Sequence, residues 1–262
     1  MTTNKTKVNV ILNRYNEDFL WINNLTNPPD TNKNDIKVYL YNKGNDEDVS
    51  RYNKNNLIYR CLYNKGREAI TYLYHIMKYY DEMVEEYKNG INSINIFSQV
   101  IPDNYTCERI CNTAYKAEDG DIEKGRVFPL SELKLVCDLK GKPHHICDLP
   151  IKEFIMSLYK LSEQFNKIFV PKDYNDNIIT LSQYVDLQYP VINFNANSQF
   201  IVSTETILQQ KKQYYYQVYC LLWSKTTINE VYDPNNTTPE DVNLFYYCIE
   251  RLWGLVFNIG VK

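Results

Sequence analysis

Asn64-Lys65-Gly66-Arg67-Glu68-Ala69-Ile70-Thr71-Tyr72-Leu73 opens the stretch on which the reading of this chain turns, and Ile94-Asn95-Ile96-Phe97-Ser98-Gln99 ends it. A turn at 64–66 feeds a long helical pattern. Apolar residues recur at Ala69, Leu73, Ile76, Tyr80, Met83, Val84 and Tyr87, steps of three or four that make one buried stripe. After the Asn89-Gly90 loop, the run at 94–97 is short and bounded by breakers, with Pro102 beyond it, so it reads as a strand buried in a sheet. In an open α/β sheet, ligands sit beyond the carboxyl ends of strands, where this chain offers Gln99, Asp103 and Asn104. The glycine turn at Gly66 ahead of a helix start presents free N–H groups suited to an anion. The same spacing also describes an ordinary turn–helix–strand unit with no ligand.

Working outward, Val8-Asn9-Val10-Ile11-Leu12 reads as a first strand, β-rich and apolar enough for a central place. It runs into the polar burst Asn13-Arg14-Tyr15-Asn16-Glu17-Asp18. There Asn16 is suited to cap a following helix, with Glu17 and Asp18 in its first turn. Ile36-Lys37-Val38-Tyr39-Leu40-Tyr41 is a second strand, ending at Asn42-Lys43-Gly44, and its spacing predicts a parallel, right-handed crossover. Leu57-Ile58-Tyr59-Arg60 reads as a short edge strand. From 105 to 150 the pattern is irregular, with a candidate strand at 133–139 and a turn at 141–145.

Helical spacing returns at Ile151, Phe154, Ile155, Leu158, Leu161 and Phe165, and extended segments follow at 189–194 and 199–202. Ser203 or Thr204 then caps a helix carrying Ile207, Tyr215, Val218 and Leu222. The last helix is expected to start with Thr238 as cap, Pro239 in first position and Asp241 in the first turn. Its stripe is Leu244, Phe245, Cys248, Leu252, Trp253 and Val256. With no repeat or linker, the pattern predicts one α/β domain over 1–262, a mostly parallel central sheet flanked by helices.

A net charge of −3 gives no electrostatic case for nucleic acid or an anionic membrane. The polar N-terminus has no apolar core of a signal peptide, and no run approaches the roughly 18 apolar residues of a membrane span. Seven Cys, an odd number without CxxC spacing, point to reduced thiols and a cytoplasmic location. With 24 Tyr in the chain, no single Tyr carries an argument.

An ordered set of short marks covers nearly the whole chain. It comprises Val10-Ile11-Leu12-Asn13-Arg14-Tyr15-Asn16-Glu17-Asp18 with Trp21; Tyr41-Asn42-Lys43-Gly44; Gly66-Arg67-Glu68-Ala69 with Tyr72-Leu73; Ile96-Phe97-Ser98-Gln99; Gly141-Lys142-Pro143-His144; Gln199-Phe200-Ile201-Val202-Ser203; and Glu250-Arg251-Leu252-Trp253. Taken in order, they resemble a little-characterised family of glycosyltransferase-like proteins. More distantly the chain is similar to the nucleotide-sugar half of GT-A glycosyltransferases.

The resemblance implies a GT-A-like nucleotide-diphospho-sugar transferase fold, with a nucleotide-binding half over about 7–104 and an acceptor half over about 105–262. It implies a nucleoside-diphosphate sugar as donor and a glycan, protein or small molecule as acceptor. It puts Asn13, Arg14, Tyr15, Glu17, Asn42, Lys43, Gly66, Arg67 and Gln99 on the donor, and His144 and Trp253 on the acceptor side. Glu250 is either the base that activates the acceptor hydroxyl or the partner of an arginine.

The chain departs from the pattern where a metal-holding Asp-X-Asp is expected. It has Ser98-Gln99-Val100-Ile101-Pro102-Asp103 there, and lacks the glycine and histidine the resembled family tends to carry nearby. Asp103 is then the candidate ligand for Mn2+ or Mg2+, and the expectation is weak or absent metal dependence. Near Gln199, Asn197-Ser198 replaces a Gly-Ala pair. The alternative is a catalytically inactive relative of that fold, a sugar- or protein-binding module.

Overall fold

The computed structural model describes residues 6–29, 34–45, 55–64, 67–100, 104–118, 122–130, 134–142, 149–164, 169–195, 198–223 and 244–259. The three expected core strands form as β1 (Lys7–Arg14), β2 (Asp35–Asn42) and β4 (Ile94–Gln99), with β3 (Leu57–Cys61) at the edge. β1 lies between β2 and β4 and is parallel to both, with Arg14 opposite Asn42 and Asn13 opposite Gln99. β5 (Val127–Pro129) and β8 (Phe200–Ser203) complete a six-stranded sheet in the order β3-β2-β1-β4-β8-β5. β8 runs against both β4 and β5, so it alone in this sheet opposes the other strands. β6 (Lys134–Cys137) and β7 (Ile192–Asn195) pair antiparallel as a separate ribbon.

Side-chain alternation along the strands builds two cores. Val10, Leu12, Val38, Leu40, Ile94 and Ile96 point to one face. There they meet Ile22 and Leu25 of α1 (Ile22–Thr26) and Ile110, Cys111 and Ala114 of α3 (Asn104–Lys116). Ile11, Tyr39, Tyr41 and Phe97 point to the other face, toward α2 (Arg67–Lys88), α4 (Ile151–Glu163), α5 (Leu181–Gln188), α7 (Lys212–Trp223) and α8 (Phe245–Asn258). The α2 stripe is buried as the spacing predicts at Ala69, Leu73, Ile76 and Met83. A Leu73→Ala change there would cost about 2–5 kcal/mol. His75 is sealed in the same core, its Nδ1 2.9 Å from the Tyr41 hydroxyl.

Asn95 joins three strands. Its Oδ1 accepts from Asn9 Nδ2 of β1 at 3.0 Å, and its own Nδ2 donates to Thr204 Oγ1 just past β8 at 3.0 Å. These buried hydrogen bonds help fix the register of β1, β4 and β8, although Asn9 Oδ1 is left without a partner.

Several expectations need correction. Asn16 does not cap a helix: its Oδ1 accepts the Asn45 backbone N–H at 2.9 Å, and α1 starts at Ile22 without a side-chain cap. The carboxylates of Glu17 and Asp18 turn onto the local backbone N–H groups of Tyr15 and Leu20, which delays the helix. Ser203 does cap, accepting from Thr206 N at 3.2 Å, but the helix is split into α6 (Thr204–Ile207) and α7. The break occurs where Tyr80 of α2 captures the Gln210 carbonyl at 2.7 Å and the buried Gln210 amide reaches Ile259 O. The irregular stretch after 104 contains α3, and the loop before 189 contains α5. The start signals at Thr238, Pro239 and Asp241 lie outside the described residues; the described part of α8 begins at Phe245.

Candidate functional site at the carboxyl edge of the sheet

The order β3-β2-β1-β4 reverses direction between β1 and β4, which is where an open α/β sheet leaves a crevice beyond its strand ends. The backbone ladder continues past both ends, with Val100 N donating to Asn13 O and Lys43 N to Arg14 O, each at 2.8 Å. At that edge stand Asn13 and Gln99, both half-buried, and the first turns of α2. Asn13 Oδ1 accepts the Thr71 hydroxyl at 2.6 Å, so the second turn of α2 orients the β1 end.

Arg14 and Asn42 act on the frame of this edge. Arg14 is 2 % exposed and its guanidinium donates to Glu17 O (2.8 Å), Asn42 Oδ1 (2.8 Å) and Asn45 O (3.1 Å). It also stacks 4.8 Å from the Phe19 ring centroid. Asn42 Nδ2 in turn donates to Asn45 O at 2.8 Å and to the Tyr59 hydroxyl at 2.9 Å. Arg14 is thus a strut that ties the two loops together. Gly44 allows this approach, since a Cβ there would run into the Tyr15 carbonyl. Tyr15, part-exposed, and Glu17 lie on the outer loop.

Lys43 is also turned inward: its ammonium donates to Arg67 O, and burial pushes its pKa down to about 7 against the opposing pull of Glu68. Arg67 begins α2 with φ +47°, an uncommon conformation for a residue with a Cβ. Its side chain is 40 % exposed, with Nε 3.8 Å from the buried Glu68 carboxylate and the guanidinium 4.8 Å over the Tyr247 ring of α8. Burial works against the Arg67 charge, but Glu68, Glu250 and Tyr247 outweigh it and hold the guanidinium more firmly protonated. A cation at a helix start opposes the macrodipole unless an anion joins it. Here Glu68 supplies one, and the exposed side of the guanidinium stands ready for another.

Glu250 and Trp253, one turn apart on α8, flank the other half of the edge. They line a cleft of about 480 Å³ with Ser198, Gln199, Arg251 and Asn258. Ser198 and Gln199 immediately precede β8, whose Phe200 pairs with Phe97 near the end of β4, so they share the edge with Gln99. The Trp253 ring packs 5.7 Å from Tyr72 and 5.1 Å from Phe200. The Tyr72 hydroxyl is fully buried without a hydrogen-bond partner, and burial together with Glu68 and Glu250 raises its pKa far above normal. Thus Arg67, Glu68, Tyr72, Tyr247, Glu250 and Trp253 form one cluster where α2 meets α8. Tyr72, Ser198, Gln199 and Arg251 are site residues that the residue types alone did not single out. The only signal for Tyr72, Gln199 and Arg251 was membership of the Gly66–Leu73, Gln199–Ser203 and Glu250–Trp253 marks, and for Ser198 the replacement of a Gly-Ala pair by Asn197-Ser198.

Gly66, Asp103 and His144 lie outside the described residues. At the described end of β4, the Ser98 hydroxyl is spent on Gln99 O at 2.9 Å, Gln99 ends in an amide and Val100 is buried. The described end of β4 thus offers no carboxylate, whereas a divalent cation on phosphates takes one or two. Among the described residues, no three His, Cys, Asp or Glu side chains gather as a metal site. No described helix is long and apolar enough to cross a membrane. Neither family models, curated proteins nor solved structures give a match to this chain.

Proposed function

We propose that this chain is a GT-A-like glycosyltransferase that moves a sugar from a nucleoside-diphosphate donor to an acceptor hydroxyl. The observation that carries the reading is the reversal of strand order between β1 and β4, with Asn13 opposite Gln99 at the strand ends and the part-exposed guanidinium of Arg67 at the start of α2. In this reading Asn13 and Gln99 hydrogen-bond the donor, and Arg67 faces its diphosphate. As the sugar C–O bond to the diphosphate breaks, negative charge grows on the leaving oxygen, which is where a fixed cation lowers the barrier. Glu250 takes the proton of the acceptor hydroxyl as the new C–O bond forms. Its proximity to Arg67 sets base and leaving group at one cluster. Because Arg14 and Lys43 are occupied by backbone carbonyls, the diphosphate contact falls to Arg67 and to α2's first N–H groups.

That occupation also favours a second reading, a non-catalytic module that binds a sugar or a protein at the same edge. Thermal-shift measurements with UDP-, GDP- and CDP-sugars, with and without manganese, separate the two. A donor that binds the folded state raises the melting temperature. A rise followed by slow hydrolysis of the donor supports the transferase, a rise with an inert donor the binding module, and no rise with any of them removes the nucleotide-sugar reading.

A further inference from the structure

Arg251 carries a guanidinium into the interior, beside the Cys137 thiol. It is 9 % exposed, Nη1 donates to Tyr247 O at 2.6 Å, and the guanidinium lies 4.7 Å over the Phe194 ring of β7. Among the described residues no carboxylate pairs with it, and its Nε has no hydrogen-bond partner. A buried cation without a counter-ion is costly to fold around, so such an arrangement points to an anion supplied from outside.

Three further buried groups without partners belong to residues bordering the same cleft: Ser198 Oγ, Gln199 Nε2 and Trp253 Nε1. Gln199 Nε2 and Trp253 Nε1 donate only, and the Ser198 hydroxyl can donate. Glu250 is the one carboxylate among the lining residues. Consecutive helix residues point about 100° apart, which separates Glu250 from Arg251. The first acts toward Arg67 and Tyr72, the second stacks toward β7. The cleft is therefore bordered by one carboxylate, Glu250, and by a guanidinium with three further donor groups.

We propose that this cleft binds a ligand carrying an oxyanion, a carboxylate or a phosphate, which Arg251 holds together with Ser198, Gln199 and Trp253. Arginine suits that role because its planar fork meets such oxygens with paired, charge-assisted hydrogen bonds. If the transferase reading holds, the ligand is the acceptor, an acidic sugar or a sugar phosphate with its reacting hydroxyl at Glu250. The anion site itself does not depend on that reading.

The test follows the three tryptophan indole N–H resonances of the full chain during titration with glucuronate, glucose 6-phosphate and uncharged glucose. Glucuronate or glucose 6-phosphate moves the Trp253 resonance, and which of them does so names the anion. Glucose at the same concentration does not. Arg251→Met weakens the effective anion by about tenfold or more. Gln199→Leu, which keeps the cationic charge, weakens it less. Silence of Trp253 toward both anions, an equal response to glucose, or unchanged affinity in both variants overturns the proposal. A response to anion in a protein that binds no nucleotide sugar leaves this site standing and removes the transferase reading.

Discussion

Truncating Arg67 separates a ligand contact from a structural one. In the folded protein this side chain makes a 3.8 Å ion pair with Glu68 and lies over Tyr247, yet 40 % of it is exposed. With Glu68 buried and Arg67 part-exposed, the screened ion pair is worth about 1 kcal/mol, and a part-exposed cation–π contact about 0.5–1 kcal/mol. Glu68 would not be left alone, since Lys43 also acts on it. Arg67→Ala keeps the positive φ, so the backbone cost is carried by both forms. The stability loss is therefore about 1 kcal/mol, or a melting temperature lower by about 2–4 °C in a chain of this size. A charge-assisted contact to a diphosphate is worth about 1.5–3 kcal/mol, so donor affinity should fall roughly 10- to 150-fold. Denaturant unfolding and calorimetric titration of the same variant give the two numbers. A stability loss of several kcal/mol with donor affinity unchanged would make Arg67 a structural residue and refute the reasoning.

Asn95→Ala leaves Asn9 Nδ2 without its 3.0 Å partner and frees Thr204, both buried, so a loss of about 2–4 kcal/mol is expected in denaturant unfolding. His75 makes stability depend on acid: burial first, then Lys37, pushes its pKa from 6.5 down to about 3. The unfolded chain thus binds more protons between those two values, and the stability present above pH 6.5 declines as pH falls toward 3. His75→Gln flattens that part of the pH profile measured by denaturant unfolding; an unchanged slope would assign it to other groups.

Much of the sheet was legible because its strands are buried on both faces. Val8–Leu12, Ile36–Tyr41 and Ile94–Phe97 read as apolar runs, and their polar ends had to share an edge once the crossovers were parallel. α3 is not legible in the sequence because its buried stripe is Cys107, Ile110, Cys111 and Ala114, with one large aliphatic residue among small or sulfur-bearing ones. α5 differs, since Thr180 and Gln183 form a capping box whose spacing is visible in the sequence. The roles of Arg14 and Lys43 could not be read from residue type. Whether a cation at a strand end meets a ligand or a carbonyl depends on loops brought from Gly44 and Arg67, far along the chain. Likewise Arg251 reads as a surface charge beside Glu250 until α8 turns it onto Phe194.

The most direct test of the account is calorimetric titration of UDP-, GDP- and CDP-sugars into chelator-treated protein, repeated with manganese. The described end of β4 lacks a carboxylate, and Arg67 stands part-exposed at the start of α2. One donor is therefore expected to bind saturably in chelator, to weaken with salt as an exposed ion pair does, and to gain little from the metal. Failure of every donor to bind under either condition would contradict the central claim, and binding that appears only with manganese and disappears in Asp103→Asn would contradict its account of the diphosphate.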